Sequence, residues 1–309
     1  MGIPVKYKLL YSYANGVYLP LIVGDKIFFS DYTTGDFIVS DLLYNVISDN
    51  NNTNYNTGNY TYIGTTTKGA VVQSFSDNYI YLISPSGIIS LIASPPGILT
   101  INIANDVIAI FSSSTSVLYF YTPTGVLLGS IGGLTNSYIL VASTNNTVAL
   151  LFGATTLYIY TFNGGLNATL PIYVPGVVVN GLNYSLLNSI TSSVETYSSD
   201  GVLLDSFAVL NGRLVSLVDN YFVVLYLANL YFYQNGIATE LLLPSPYQGS
   251  IFTPVFMTFY NSSLYVYGNP DTTSPSYLFL FGPIPPLLNH PATSIVKNMT
   301  LNGYLNWRR

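Results

Sequence analysis

Residues 118–131 read LYFYTPTGVLLGSI: an apolar run, a Pro-Thr-Gly corner and a second apolar run. Tyr, Phe, Val, Leu and Ile suit a pleated, packed strand. The glycine supplies the positive φ that a tight corner needs. The stretch therefore predicts a β-hairpin, and copies of it recur along the chain. Aligned on the turn glycine they are IYLISPSGII from Ile80, LYFYTPTGVL from Leu118, LYIYTFNGGL from Leu157, VETYSSDGVL from Val194 and LYFYQNGIAT from Leu230. The glycines are Gly87, Gly125, Gly164, Gly201 and Gly236, spaced by 38, 39, 37 and 35 residues. IFFSDYTTGDF, with Gly35, reads as an earlier copy, and YLFLFGPIP, with Gly282, as a degenerate later one.

A period in this range belongs to solenoids, propellers or arrays. Another short strand precedes several hairpins behind an Asx pair: Asn105-Asp106 before VIAIF, Asn145-Asn146 before TVALLF, Asp219-Asn220 before YFVVLY. A unit thus holds three or four strands. No stretch combines helical caps with a 3.6-residue period, which sets aside the α/β repeat arrays. Strands such as YIYLI and LYFYT are apolar at consecutive positions, as in a sheet covered on both faces. The expected fold is an all-β β-propeller of four-stranded antiparallel blades, seven of them, with six or eight as alternatives. KLLYSY near the amino end is expected to lend the final blade a strand and close the ring, removing two open sheet edges.

Two regions depart from the repeat. Residues 49–61, DNNNTNYNTGNYT, form a polar insertion too poor in aliphatic side chains to pack, and are expected as an exposed loop. The propeller is expected over residues 1–282. Residues 283–309 are expected as a Pro-rich tail that closes the ring or docks a partner. The amino terminus places lysines before apolar residues, but Asn15, Gly16 and Pro20 break that segment, so an uncleaved mature start is expected.

Composition restricts the function. Half of the 309 residues are hydrophobic and 7% are charged, against about 25% charged in an ordinary soluble domain. Solvent must then be met by Ser, Thr, Asn and Tyr. The eight Lys and Arg residues are scattered, so no phosphate-tracking stripe forms and no nucleic-acid partner is expected. The Arg308-Arg309 pair reads as a frayed end. No run reaches the roughly 18 apolar residues of a membrane helix. YFVVLYLANLYFY, residues 221–233, reads as two strands.

The residues for chemistry are sparse. The chain has no cysteine, which excludes disulfides, thiolate catalysis and sulfur-ligated metals. The single histidine, His290, reads as a turn residue, which leaves a triad or multi-His site little to build on. Asp77, Asp106 and Asp219 sit at similar places in their repeats, where Asp ordinarily makes turns. No catalytic, metal or cofactor-binding residue is assigned and no enzyme activity is expected. Sequons stand at Asn51, Asn59, Asn145, Asn167, Asn183, Asn261 and Asn298 as possible N-glycosylation sites. Tyr32, Tyr55, Tyr60 and Tyr247, outside the repeated strands, are the candidate ligand-contact aromatics, whereas the LYFY tyrosines read as packing.

The composition, rich in Tyr, Asn, Ser, Thr, Ile and Leu, poor in charge and free of cysteine, joins a generic propeller repeat. Together they resemble surface and virion proteins of hyperthermophilic, acid-loving archaea such as the Sulfolobales and their viruses. The resemblance implies a thermoacidophile's extracellular or virion-exterior protein and carries over no functional residue. At low pH carboxylates lose charge, and a fold with 13 acids has little to lose. The function expected is a structural virion protein of an archaeal virus, an exterior or terminal propeller for assembly or host attachment. Its partners would be other virion or surface proteins, further copies of itself, or a host glycan or receptor. The first alternative is an exported archaeal cell-surface adhesion or glycan-binding propeller. The second is a secreted hydrolase or lyase.

Overall fold

The computed structural model describes residues 3–4, 7–13, 17–23, 25–31, 37–43, 45–48, 60–74, 77–97, 99–135, 138–153, 156–171, 177–210, 212–218, 221–226, 229–234, 236–242, 253–260, 263–269 and 276–281. Among them every regular element is a strand, and the strands form seven sheets of four or five. We number the sheets blades 1 to 7 and their strands a to d. The a strands begin at residues 17, 60, 99, 138, 177, 213 and 253. Blades 1 to 5 are antiparallel meanders whose neighbours in sequence are neighbours in the sheet. Blade 3 is representative: Leu99–Ala104, Val107–Ser112, Val117–Tyr121 and Leu127–Gly132. Consecutive a strands pack together from blade 1 to blade 6, and that of blade 7 returns to blade 1. The a strands therefore surround the axis and the d strands form the rim. Among the described residues no helix is long and apolar enough to cross a membrane.

Blade 7 takes three strands from Thr253–Tyr260, Ser263–Asn269 and Ser276–Phe281, and its fourth from Tyr7–Tyr13. The last pairing is antiparallel, with Tyr7 opposite Phe281. The amino-terminal closure expected from KLLYSY is thus present. One element was not anticipated: Ile3–Pro4 pairs in parallel with Ile237–Leu242, the d strand of blade 6, and makes that sheet five-stranded. The segment before blade 1 therefore joins both blades 6 and 7.

The consecutive apolar positions are explained by blade packing. Every residue of Val107–Ser112, the b strand of blade 3, is buried. In the next strand Leu118 and Phe120 face blade 4, where they meet Leu140, Val148 and Phe162. Tyr121 lies on the other side, against a cluster containing Ile80 and Ile92 of blade 2. The rings of Phe120 and Phe162 meet edge to face at 5.7 Å across the blade junction. Burial of each such side chain contributes about 2 kcal/mol. The repeated LYFY tyrosines that are described are packing residues: Tyr119, Tyr121, Tyr158, Tyr160 and Tyr231 are half-buried and Tyr233 is buried.

Three sequence expectations are corrected. Gly35 lies between the b and c strands of blade 1, outside the described residues, so it does not match the repeat glycines. The matching turn is Asp41–Asn45, where the Asp41 N–H donates to the Asn45 carbonyl. The polar insertion gives way to strand at Tyr60, the first residue of Tyr60–Thr66. Asp77 and Asp106 do not occupy equivalent places. Asp106 precedes a b strand and Asp77 follows one, which separates them by a strand length, about 20 Å. Tyr221–Tyr226 and Asn229–Gln234 are two strands, as read from the sequence.

Candidate contact face

The antiparallel meander sorts the turns by end of the ring. The a–b and c–d turns fall at one end, here the hairpin end. The b–c turns and the blade-to-blade connections fall at the other. In blades 2 to 5 the c–d turns follow one pattern: Ser or Thr, two residues, Gly, then a fifth residue. In blade 3 the Gly125 N–H donates to the Thr122 carbonyl at 3.0 Å and the Thr122 N–H to the Val126 carbonyl at 2.9 Å. The Thr122 hydroxyl accepts from the Val126 N–H at 3.0 Å. The same hydroxyl bond occurs from Ile88 to Ser84, Gly165 to Thr161 and Val202 to Ser198. This is a type I turn followed by a left-handed glycine, a three-residue hairpin loop. The turn glycine also sits close to the neighbouring blade: a Cβ at Gly125 would lie 3.0 Å from the Ile92 carbonyl oxygen.

Within two positions of each turn glycine of blades 2 to 6 stands an aliphatic residue that the structure leaves uncovered. Ile88 and Ile89 in blade 2, Val126 and Leu127 in blade 3, and Leu166 in blade 4 are exposed. Val202 and Leu203 in blade 5 and Ile237 in blade 6 continue the series, Val126 and Val202 at 59% and Ile237 at 75%. Leu43, in the c–d turn of blade 1, and Leu182, in the a–b turn of blade 5, face the same end and are exposed. The opposite end exposes Tyr79, Phe152, Ile190 and Leu210 among the described residues. Among the described residues ten large apolar side chains are exposed at the hairpin end and four at the other, with Leu91 and Leu204 exposed on d strands between them. At about 100 Å² per half-exposed aliphatic side chain the ten present on the order of 1,000 Å². A stable interface buries about 800 Å² per partner.

Between these side chains the hairpin end is built of hydrogen bonds that tie blade to blade. Asp106, in the a–b turn of blade 3, accepts from the N–H and the hydroxyl of Thr67 in blade 2, both at 2.6 Å. Asn105 accepts from the Ser143 N–H of blade 4 at 3.2 Å, and the Ser143 hydroxyl donates back to the Ala104 carbonyl at 2.8 Å. The Thr147 hydroxyl meets the fully buried Tyr184 hydroxyl of blade 5 at 2.9 Å. Burial pushes the Tyr184 phenol up from its ordinary range, against the opposing pull of its threonine partners. Asn105 and Asp106 both hold positive φ, 48° and 64°, a backbone that Asn and Asp tolerate better than other side chains.

The carboxylates serve turns and sheets. Hydrogen bonds from the Asn45 side chain and N–H, and from the Leu43 N–H, hold Asp41 below the usual carboxylate range. At the opposite end the Tyr79 N–H and the Tyr81 hydroxyl do the same for Asp77. Glu195 accepts from Tyr197, Asn188 and Ser193, and Glu240 from Tyr231 and Asn229. Among the described residues no three His, Asp or Glu side chains gather as a metal site requires.

The sequence candidates fall as follows. Asn145 is exposed in the a–b turn of blade 4, Asn167 is exposed on the d strand of that blade, and Asn183 is half-buried at a strand start. Asn51, Asn59, Asn261 and Asn298 lie outside the described residues, as do Tyr32, Tyr55, Tyr247, Asp219 and His290. Tyr60 belongs to a strand and not to the insertion. The structure therefore brings none of the candidate tyrosines together into a described site. The apolar end was missed by sequence reasoning, although its signal is visible: GII, GVL, GGL, GVL and GIA at the point where a loop ordinarily turns polar.

No family model and no curated protein matches the chain. Solved structures do. A streptogramin B lyase superposes with a TM-score of 0.54 at 11% identity, covering 90% of this chain and 97% of the other. The WD40 β-propeller domain of Doa1 gives 0.53 at 12% identity, with the same coverage. The C-terminal WD40 domain of Sif2 gives 0.50 at 11% identity, over 85% of this chain and 80% of the other. At these identities the likeness speaks for the fold alone, and with the seven sheets it makes the chain a β-propeller.

Proposed function

We propose that this propeller is a structural protein of a virion exterior, one that joins other subunits through its hairpin end and is not an enzyme. The observation that carries the proposal is the apolar hairpin end, made by the same two positions of successive repeats. An extended apolar patch marks an interaction site. The chain, 7% charged and rich in hydroxyl and amide side chains, supports an exterior setting. It meets water with hydroxyls and amides, and its blades are joined by hydroxyl, amide and single-carboxylate bonds that need no ion-pair network. The carboxylates bound up in turns and sheets support the non-enzymatic part. A rigid ring displaying loops at both ends suits assembly at one end and host contact at the other.

The test is a paired substitution, Val126→Asp with Val202→Asp, at exposed positions that leave the core untouched. Incorporation into the native assembly is expected to fall at least tenfold while the melting temperature stays near that of the parent. Ile190→Asp, at the opposite end, is expected to leave incorporation unchanged. Normal incorporation of the paired variant would overturn the proposal.

A further inference from the structure

An apolar end of this size calls for a partner of the same polarity. Its uncovered aliphatic residues recur blade by blade at the c–d turns: Leu43 in blade 1, Ile88 in blade 2, Val126 in blade 3, Leu166 in blade 4, Val202 in blade 5 and Ile237 in blade 6. They form a broken ring around the axis, at corresponding places in six of the seven blades. A second ring laid on the first about a two-fold axis in the plane between them sets each blade of one copy on one blade of the other. Apolar positions at matching radius then meet their own kind, whichever blade the axis crosses. The ten side chains of this end offer on the order of 1,000 Å² per copy, more than the roughly 800 Å² per partner of a stable interface. Stacking hairpin end on opposite end would instead set ten exposed apolar residues against four among the described residues. It would also leave an apolar end bare on every stack, since a head-to-tail contact does not close on itself.

The charges at this end permit such a meeting. Among the described residues its turns and strand ends hold Asp25, Asp41, Asp106 and Asp200 against Lys8, Lys26 and Lys68, Lys8 being the second residue of the strand Tyr7–Tyr13. Asp219, between the a and b strands of blade 6, lies outside them. The end thus carries both signs in near balance, and a copy of itself meets no single-sign field to repel it. Three of the acids already have partners. Asp25 accepts from Lys26 at 2.7 Å. Asp41 accepts from the N–H groups of Leu43 and Asn45 at 2.9 and 2.8 Å, and Asp106 from Thr67. Carboxylates held in this way enter a drier contact at less cost than bare ones. We infer that the hairpin end takes the hairpin end of a second copy of this chain, the two rings related by a two-fold axis. The inference rests on the proposal that this end is the contact surface, and it names the partner.

Sedimentation equilibrium of the purified full chain is expected to give twice the mass of one copy at micromolar concentration, where interfaces of this size hold. The paired Val126→Asp, Val202→Asp variant is expected to dissociate at least tenfold more readily. The absence of native cysteine makes the orientation readable. Val126→Cys and Ile237→Cys, as separate single-cysteine variants, are expected to react with a maleimide at least tenfold more slowly in the dimer than after dilution to monomer. Ile190→Cys, at the opposite end, is expected to react at the same rate in both. A chain that stays monomeric through this range, a dimer that protects Ile190→Cys instead, or species that grow beyond two copies would overturn the inference. Because it uses the isolated chain, this result is independent of the incorporation test: a monomer together with lost incorporation of the Val126→Asp, Val202→Asp variant would refute the self-pairing alone.

Discussion

At the scale of single residues, the structure makes demands that can be separated. Gly125 sits at φ 82° and a Cβ there would lie 3.0 Å from the Ile92 carbonyl oxygen. Gly129 has no such φ, but a Cβ there would lie 2.2 Å from the Phe162 carbonyl oxygen in the next blade. Gly125→Ala is expected to cost about 1–3 kcal/mol, mostly as backbone strain. Gly129→Ala is expected to cost about 3 kcal/mol or more, because the neighbouring backbone must move. Chemical denaturation of both variants checks the order, and a neutral Gly129→Ala would contradict the blade spacing. Tyr184 tests the hydroxyl links. Tyr184→Phe removes one partner of a buried pair and should lose about 1 kcal/mol, whereas Thr147→Val leaves the phenol buried with less support and should lose more, about 1–3 kcal/mol. A double-mutant cycle between them should yield a favourable coupling, and additive losses would show that the bond contributes nothing.

At the scale of elements, the hairpin was the most legible part. The glycine spacing and the consecutive apolar positions report one strand–turn–strand unit, and the structure has it in blades 2 to 5 with the same bonds. Blade 1 was misaligned at Gly35 because Asp41 replaces the hydroxyl residue in its true turn and no glycine follows. Asp77 and Asp106 were read as equivalent because Asx residues start strands at both ends of a blade, and spacing alone does not say which end. The parallel Ile3–Pro4 strand left no periodic signal in two residues. The apolar hairpin end was written in the sequence, but an exposed aliphatic and a buried one look alike until the blades are placed. Asp106 joins blade 2 to blade 3 through two bonds to Thr67. Asp106→Ala is expected to destabilise the fold by about 1–2 kcal/mol and to raise hydrogen exchange at the amides of residues 67–69. Unchanged exchange there would contradict the link.

At the scale of the whole molecule, the titrating groups set a pH window that can be measured. Asp41 and Asp77 are held below the usual carboxylate range by turn hydrogen bonds. A depressed carboxyl contributes stability above its unfolded pKa, near 4, which is lost as pH falls through the lower folded value. The hydrogen bonds involved are local and exposed, so this loss should be small and confined below about pH 4. Tyr121, Tyr138, Tyr160, Tyr184 and Tyr231 are raised, chiefly by burial. Their contribution is present below about pH 10 and lost as pH rises through the higher folded values. Melting temperature should therefore stay nearly level from pH 7 to about 4 and fall steeply above about 10, and a large loss between 7 and 4 would contradict the account. The central claim is that this ring is a structural subunit of a virion exterior. Its most direct test is mass spectrometry of the native fraction that contains the chain. The account predicts co-purification with capsid proteins and viral nucleic acid at fixed stoichiometry; recovery with envelope material from uninfected cells would contradict it.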